Sequence, residues 1–293
     1  MSSATVIGLG EVLWDNLPDG RRLGGAPANV AYHATQFGCR GVVASAVGRD
    51  EPGQDLLHRL NELGLDTSLV QKLHDRPTST VDVELDDSGS PSYVIHEHVA
   101  WDKLAETPAL LSAVRSADAL VFGSLAQRSE GSRRTIHAAL SNAPPGCLKL
   151  FDVNLRPPFV SAEVIAASVK RCDVLKLNKD ELPFVARMLN LPTDRRGFCT
   201  EAVKSLGVKL VAVTGGSAAG TLYDGTDFSD RDPDPVQIVD TVGAGDSFTA
   251  SIVTGMLAGQ SLEAIHERAG KVAAFVCTQS GGTPKLPEAL TRW

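Results

Sequence analysis

One nine-residue segment of this 293-residue chain combines residue types that can bind an anion and move a proton. It reads Asp-Thr-Val-Gly-Ala-Gly-Asp-Ser-Phe over positions 240–248, and an apolar helical pattern follows. The first amides of a helix lack intrahelical partners and lie at its positive end, so such a turn attracts phosphate. Gly243 and Gly245 leave room for a bulky anion, and Asp246 could accept a proton from an attacking alcohol. The alternative is a helix start with an ordinary acidic residue in its first turn.

A second polar cluster lies near the N-terminus. Asp15 is followed by the pair Gly24 and Gly25, and Asn29 stands in the first turn of the helix predicted after that pair. The pair forms a Gly-Gly turn into the helix, with Pro27 near the first helical position. A close-packed turn with an exposed Asn29 is the structural alternative.

Two further motifs follow predicted strands. Asp152, Asn154 and Arg156 stand after one strand, and Asn178 and Glu181 stand after the next. Ligands of open α/β sheets bind beyond the carboxyl ends of the strands, so we expect these side chains to line one cleft. A structural Asp–Arg pair is the alternative for the first motif. A helix cap is the alternative for the second, because Asn followed three residues later by Glu is nearly a capping box.

The last motif is a glycine turn. Thr214 and Gly216 follow another predicted strand in the segment Thr-Gly-Gly-Ser-Ala-Ala, and a plain turn between two strands is the alternative. Other well-known motifs are missing, including the P-loop, the protein kinase His-Arg-Asp set, zinc-protease motifs and the serine-hydrolase elbow. A dehydrogenase is disfavoured because Gly8-Leu9-Gly10 lacks the third glycine of the dinucleotide fingerprint, position 13 being Leu.

Taken in order, these segments resemble the motifs of the PfkB-type, or ribokinase-like, carbohydrate kinases, and the resemblance covers nearly the whole chain. It implies that Asp246 is the catalytic base and that the neighbouring amides form the anion hole. The catalytic residues implied are Asp246, Gly243, Ala244, Gly245 and Arg156. The sugar-binding residues implied are Asp15, Gly24, Gly25, Asn29, Asn154, Arg156 and Asp246. The nucleotide-binding residues implied are Asn178, Thr214, Gly216, Gly243, Gly245 and Cys277.

The resemblance also implies the cofactors. ATP would donate the phosphoryl group, and Glu181 would hold Mg²⁺, directly or through a water molecule. Backbone oxygens near the C-terminus hold a monovalent cation in ribokinase-like enzymes, which implies a K⁺ site. Its ligands would be Asp240, Val276, Gln279 and Gly281. The glycine turn departs from the family pattern, because Ala219 stands where the family has its final glycine.

Within the family, the segments 10–15, 23–29, 99–102, 122–128 and 152–157 look most like bacterial fructokinases. The expected reaction is transfer of the γ-phosphoryl group of ATP to a hydroxymethyl oxygen of a ketose, converting D-fructose to fructose 6-phosphate. Ribose, 2-keto-3-deoxygluconate and nucleosides are alternative acceptors. A non-catalytic sugar-binding regulator is the alternative from another class, although the intact Asp246 and anion hole argue against it.

Composition restricts the partners and the compartment. The net charge of −7 and the sequence pI of about 5.5 disfavour nucleic acid and anionic membranes as partners. The five cysteines are scattered and odd in number, which favours reduced thiols in the cytoplasm. No apolar run is long enough to predict a membrane span, and no signal peptide is recognised.

The elements that must position the motifs follow from the hydrophobic pattern. Short apolar runs alternate with helical spacing, which predicts βαβ units around a mostly parallel sheet. Buried strands are predicted over 5–9, 41–47, 119–122, 148–151, 174–177 and 210–213. Helices are predicted over 27–37, 54–63, 132–140, 162–169, 181–189, 244–258 and 262–278. The resemblance implies a ribokinase-like three-layer α/β/α sandwich, one kinase domain over 1–293.

A second pattern interrupts this alternation. The segments 78–84 and 92–98 alternate in polarity around turn residues 86–89, which predicts an inserted β-hairpin. The hairpin could be an ornament at the sheet edge. The resemblance instead implies a small β-sheet lid built from about 11–23 and 78–98, and a homodimer through that lid, while the sequence leaves the oligomeric state open.

Overall fold

The computed structural model describes residues 3–17, 20–85 and 91–292. Its strands are β1 Thr5–Leu9, β2 Leu13–Leu17, β3 Gly20–Gly24, β4 Arg40–Gly48, β5 Asp66–Leu73, β6 Thr80–Leu85, β7 Pro91–Ile95, β8 Ala119–Gly123, β9 Leu148–Asp152, β10 Val174–Asn178, β11 Leu210–Thr214, β12 Gly220–Tyr223 and β13 Phe228–Arg231. Its helices are α1 Ala26–Gln36, α2 Glu51–Glu62, α3 Pro108–Val114, α4 Glu130–Asn142, α5 Ala162–Val169, α6 Leu182–Leu189, α7 Arg195–Leu206, α8 Ala244–Leu257, α9 Leu262–Cys277 and α10 Glu288–Thr291.

The larger sheet has the strand order β13-β12-β11-β10-β9-β8-β1-β4-β5. Its pairs from β11 to β5 are parallel, and β12 and β13 extend it antiparallel. The prediction of a mostly parallel sheet is therefore confirmed, and the six predicted strands occur with ends within one residue of those expected.

Helices cover both faces of this sheet, which gives three layers. Successive strand side chains point to opposite faces, so neighbours along one strand enter different cores. Ile7, for example, belongs to the core that contains side chains of α3 to α7, whereas Val6 belongs to the core that contains side chains of α1, α8 and α9. Continuous apolar runs are typical of such parallel strands because both of their faces are buried. The three-layer α/β/α prediction is confirmed.

A smaller sheet stands apart from the large one, in the order β3-β2-β6-β7. It pairs β2 antiparallel with β3 and parallel with β6, and β6 pairs antiparallel with β7. The inserted hairpin is therefore confirmed, although its turn residues 86–89 lie outside the described residues. The indole of Trp14 on β2 donates a hydrogen bond to the carbonyl of Pro52, so the small sheet is anchored to the start of α2. Its closing as a lid stays a prediction.

The strand order fixes where a ligand would bind. From β1 the chain adds β4 and β5 on one side, and later adds β8 to β11 on the other. The order therefore reverses between β1 and β8, and such a switch point opens a crevice at the carboxyl ends of the strands. The motifs that follow β1, β8, β9, β10 and β11 all stand at this edge.

No helix among the described residues is long and apolar enough to cross a membrane. All five cysteines are described, and each is a free thiol.

Candidate active site

The centre of the crevice is the N-terminus of α8. Gly243 caps this helix in the left-handed region, with φ of 76°, and a Cβ added there would lie 2.4 Å from the Cα of Gly282. Two glycine backbones therefore pack against each other where a side chain would not fit. The amide of Ala244 donates to the carbonyl of Thr241 across 3.3 Å. The amides of Gly245 and Asp246 follow in the first turn of the helix, where intrahelical partners are lacking.

Asp246 lies in the first turn of α8, beside those amides. Its Oδ2 accepts a hydrogen bond of 2.8 Å from the side-chain amide of Asn29 on α1. Burial raises the pKa of Asp246 to about 6, aided by the nearby Asp152 carboxylate, while Asn29, Lys176 and Arg156 act in the opposite direction. The fold thus brings Asn29 and Asp246, which are 217 residues apart in the chain, into direct contact.

A residue that the sequence did not indicate supports the same turn. His33 is fully buried on α1, and its Nε2 lies 2.9 Å from the carbonyl oxygen of Gly282. Burial lowers the pKa of His33 to about 4, although the contact with Gly282 opposes this. The ring is therefore neutral near pH 7 and donates from Nε2. One signal was available in the sequence, because His33 stands one helical turn after Asn29 and shares its face.

The sugar-side residues gather around the entry to α1. Asp15 on β2 faces Gly24 on β3 so closely that a Cβ at Gly24 would lie 2.4 Å from its Oδ2. Gly25 caps α1 with φ of 109°, where a Cβ would lie 2.6 Å from the carbonyl oxygen of Glu11. Burial is the main cause that raises the pKa of Asp15 to about 6, opposed by the charge of Arg156. A side chain at Gly25 would therefore meet backbone atoms, whereas one at Gly24 would meet the side chains of Asp15 and Leu13.

Glu11 is a second residue that the sequence analysis did not select. It follows β1, is only 3% exposed, and its Oε2 has no hydrogen-bond partner. Burial is the main cause that raises the pKa of Glu11 to about 7, with the carboxylates of Asp246 and Asp152 adding to the rise. Its place directly after β1, at the switch point of the sheet, was the available signal.

The Asp152 motif is arranged differently from its structural alternative. Asp152 does not pair with Arg156; instead both of its carboxylate oxygens accept from Nζ of Lys176 on β10, at 3.0 and 2.9 Å. Arg156 is exposed, donates to the carbonyl of Leu155, and lowers the pKa values of Asp15 and Asp246. Asn154 stands between them in the left-handed region, with φ of 40°. The guanidinium of Arg156 is therefore not paired with Asp152 and could contact a ligand in the crevice.

The Asn178 motif closes a hydrogen-bonded turn just before α6, whose N-cap is Glu181 and has no side-chain capping bond, so it is not the helix cap of the structural alternative. Oδ1 of Asn178 accepts from the amides of Asp180 and Glu181, and Oε2 of Glu181 accepts from the amide of Asn178. The other oxygen of Glu181 accepts from the amide of Leu155 across 2.6 Å, and so joins the motifs that follow β9 and β10. Burial is the main cause that raises the pKa of Glu181. Each carboxylate oxygen keeps a second lone pair, which fits a water molecule bound to Mg²⁺.

The glycine turn follows β11 at the same edge of the sheet. The carbonyl of Thr214 accepts from the amide of Lys179, which holds this turn beside the Asn178 motif. Gly216 adopts the left-handed conformation with φ of 62°. The amide of Ala218 donates to the carbonyl of Gly215, and the chain then enters β12, so the segment is also the turn between two antiparallel strands.

The proposed cation ligands lie where α9 ends. Oδ2 of Asp240 accepts from the amide of Gly281 across 2.9 Å. The carbonyl of Val276 accepts from the amide of Gln279, and that of Cys277 accepts from the amide of Asp240. Helix ends of this polarity attract cations. Within the described ranges no cluster of three or more His, Cys, Asp or Glu could hold a metal ion, so a site here would depend on backbone oxygens.

Comparisons with known proteins agree with this geometry. Residues 19–289 match the model of the pfkB family carbohydrate kinases. The chain is 29% identical to the fructokinase of Salmonella typhimurium, with 97% of each chain covered. It is 31% identical to fructokinase-2 of Solanum habrochaites, covering 99% of this chain and 96% of that one. The fructokinase of Vibrio cholerae O395, solved with fructose, ADP and a calcium ion, is 27% identical with a TM-score of 0.81, over 99% and 98% of the two chains.

Proposed function

The chain belongs to the pfkB family of carbohydrate kinases, and from this premise we propose that it transfers the γ-phosphoryl group of ATP to D-fructose, giving fructose 6-phosphate. The named fructokinases that match almost the whole chain support this choice of sugar. The observation that carries the proposal is the 2.8 Å hydrogen bond between Asn29 and Asp246. It joins the helix that follows the glycine pair to the helix that carries the proposed base, so one alcohol could contact both.

The role of Asp246 is limited by a free-energy argument. A sugar hydroxyl resembles water, with a pKa of about 16, while the pKa of Asp246 is raised to about 6. Full proton transfer before attack would then cost about 14 kcal/mol. A turnover of about 10 per second allows a total barrier of only about 16 kcal/mol. Asp246 therefore takes the proton while the oxygen–phosphorus bond forms.

The remaining catalysis is alignment and stabilisation of charge on the phosphoryl group. We assign the stabilisation to the amides of Gly243 and Gly245 and to the guanidinium of Arg156, while Ala244 holds the turn through the bond from its amide to the carbonyl of Thr241. Asp15, Gly24, Gly25, Asn29 and Asn154 would bind the sugar hydroxyls. Asn178, Thr214, Gly216 and Cys277 would line the nucleotide site.

Two ions complete the proposal. Glu181 would hold Mg²⁺ through water, and the ion would neutralise charge on the nucleotide phosphates. Asp240 with the backbone oxygens of Val276, Gln279 and Gly281 would hold K⁺. Closing of the small sheet, as one lid of a single kinase domain, would exclude water that otherwise competes as the phosphoryl acceptor.

The test is an ADP-release assay with the purified protein, ATP, Mg²⁺ and four acceptors: fructose, ribose, 2-keto-3-deoxygluconate and adenosine. We expect fructose to give the largest kcat/KM, with the product identified as fructose 6-phosphate by ³¹P NMR. A larger kcat/KM for another acceptor would show that fructose is not the preferred sugar, while the assignment as a kinase would stand. Sugar binding without ADP release from any acceptor would instead identify a non-catalytic regulator.

A further inference from the structure

A buried ammonium group lies directly behind the anion-binding turn. Lys176 on β10 points towards α8 and is only 6% exposed. A Cβ added at Gly245 would lie 3.1 Å from its Nζ. A lysine buried to this degree is unusual because desolvating an ammonium group is costly unless it is paired. Its position therefore needs an explanation beyond packing.

The ammonium is fixed by two other buried groups. Both oxygens of Asp152 accept from Nζ, and Oδ2 of Asp152 also accepts from the hydroxyl of Thr249 across 2.8 Å. Asp152 is 3% exposed and Thr249 is fully buried on the second turn of α8. Strand β9, strand β10 and helix α8 thus each supply one member of the network.

The ammonium keeps its charge in this environment. Burial by itself would lower the pKa of Lys176, but the carboxylates of Asp152, Glu181 and Asp246 together raise it above its ordinary value. Two of its three N–H groups are taken by Asp152. The positive charge therefore lies at the turn that is proposed to receive the transferring phosphoryl group.

We propose that Lys176, held by Asp152 and Thr249, is a positioning residue that supplies a fixed positive charge behind the Gly243–Gly245 turn. This inference rests on the proposed function. A charge fixed before the reaction stabilises the anionic transition state without reorganisation, and it counts for more in a site from which water is excluded. Gly245 would then be glycine for two reasons: a phosphate approaches one side of it, and the ammonium occupies the other.

The main experiment separates charge from structure. Lys176→Met removes the ammonium but leaves Asp152 buried and unpaired, which can impair folding. The double variant Lys176→Met with Asp152→Asn removes both charges and restores neutrality. We expect both variants to reduce kcat by about 10- to 100-fold, and Lys176→Arg to retain more activity than Lys176→Met. Lys209→Met is the matched control, because Lys209 also pairs with an aspartate, Asp173, but is itself exposed.

A binding measurement distinguishes the proposed charge effect from a purely structural role of Lys176. With fructose and Mg²⁺ present, ADP with aluminium fluoride imitates the phosphoryl group in transfer, whereas ADP alone does not. We expect the double variant to bind ADP–aluminium fluoride at least tenfold more weakly than the wild-type protein, with ADP affinity changed by less than threefold. Equal weakening of both ligands would assign Lys176 a structural role and overturn the inference.

Thr249→Val provides a milder perturbation that keeps every charge. It removes the hydroxyl that orients Asp152, and we expect kcat to fall about three- to tenfold. Thr254→Val is its control, because Thr254 is buried on the same helix but its hydroxyl bonds only to helix carbonyls. Equal kcat values for the two threonine variants would contradict the proposed network.

The outcomes also separate this inference from the proposed function. If the wild-type protein releases no ADP with any acceptor, the proposed function fails and the inference fails with it. If the wild-type protein turns over and the double variant is as fast, within threefold, only the inference fails.

Discussion

The side-chain amide of Asn29 donates to Oδ2 of Asp246 across 2.8 Å, and this bond couples α1 to the N-terminal end of α8. The bond favours the charged carboxylate, so it opposes the rise in pKa that burial imposes on Asp246. A carboxylate that must accept a proton is useful only when it is ionised. Asn29 therefore both orients the proposed base and keeps it ionised near neutral pH.

Replacing Asn29 by Ala should raise the pKa of Asp246 above its value of about 6. Since kcat/KM falls when the base is protonated, the acidic limb of its pH profile should move to higher pH. We expect kcat/KM at pH 7 to fall about 10- to 100-fold, because the bond to sugar is lost as well. The pH dependence of kcat/KM between pH 5 and 9 measures both effects. An acidic limb at the same pH as in the wild-type protein would show that Asn29 does not affect the pKa of the base.

Replacing Asp246 by Asn should lower kcat by about 10²- to 10⁴-fold, with a smaller effect on KM, because the amide cannot take the proton. Asp227→Asn is the matched control. Asp227 is exposed in the turn between β12 and β13, at the opposite end of the sheet. Steady-state kinetics of both variants tests whether Asp246 is the base. The two variants are first shown to have equal thermal unfolding temperatures. An unchanged kcat in a folded Asp246→Asn protein would remove Asp246 from the chemistry.

Replacing Gly243 by Ala should reduce kcat by at least about 10²-fold. The added methyl group would lie 2.4 Å from the Cα of Gly282 at a φ of 76°, so the turn must move away from the phosphoryl group. The control is Gly270→Ala within α9, where an added Cβ contacts nothing within 4 Å. That change should stabilise the fold by about 0.5–1 kcal/mol and leave kcat unchanged. A fully active Gly243→Ala protein would show that this close approach is not needed.

The folded protein should lose stability through His33 on acidification. The pKa of His33 is about 4 when folded and near 6.5 when exposed, so on acidification the unfolded chain takes up this proton first. The contribution of His33 to the free energy of unfolding is complete above pH 6.5 and is lost as pH falls towards 4. The loss amounts to about 2.5 kcal/mol at pH 4.5.

Urea unfolding at pH 7.5 and 4.5 measures this loss against His33→Gln, whose amide can still donate to Gly282. The buried acids Glu11, Asp15 and Asp246 act with the opposite sign, because their raised pKa values favour the folded state at low pH. Both proteins contain these acids, so the contributions of the acids to the free energy of unfolding cancel in the comparison. Equal losses in the two proteins would show that His33 is not protonated on unfolding.

Local pattern made much of the fold predictable. The run Val174–Asn178 is apolar apart from Lys176 and the terminal Asn178, and buried parallel strands have this composition. Helix α7, Arg195–Leu206, escaped prediction because only a few of its residues are buried. Strands β12 and β13 escaped because each has only four residues, too few to display a period.

The residues of the candidate site also fall into two groups, those that the sequence predicts and those that only the fold reveals. Asp246 and the glycines around it were predictable because a contiguous motif carries them. Lys176 and His33 were not, because each contacts a partner that local pattern does not reveal: Asp152 for Lys176 and the carbonyl of Gly282 for His33. In the sequence, a single lysine in an apolar strand only interrupts the hydrophobic pattern. The fold is needed to identify the carboxylate that pairs with it.

Replacing Asp15 by Ala should raise KM for fructose about 10- to 100-fold with little change in KM for ATP. Asp15 is packed against Gly24, which precedes the helix that carries Asn29, so its carboxylate lies beside the proposed sugar-binding residues. A carboxylate there would make charge-assisted hydrogen bonds to sugar hydroxyls. Asn16→Ala is the matched control, because successive side chains of β2 point to opposite faces and Asn16 instead donates to Asp82. If both variants raise KM for fructose equally, the cause is a weakened small sheet, whereas an effect confined to Asp15→Ala identifies Asp15 as a sugar ligand.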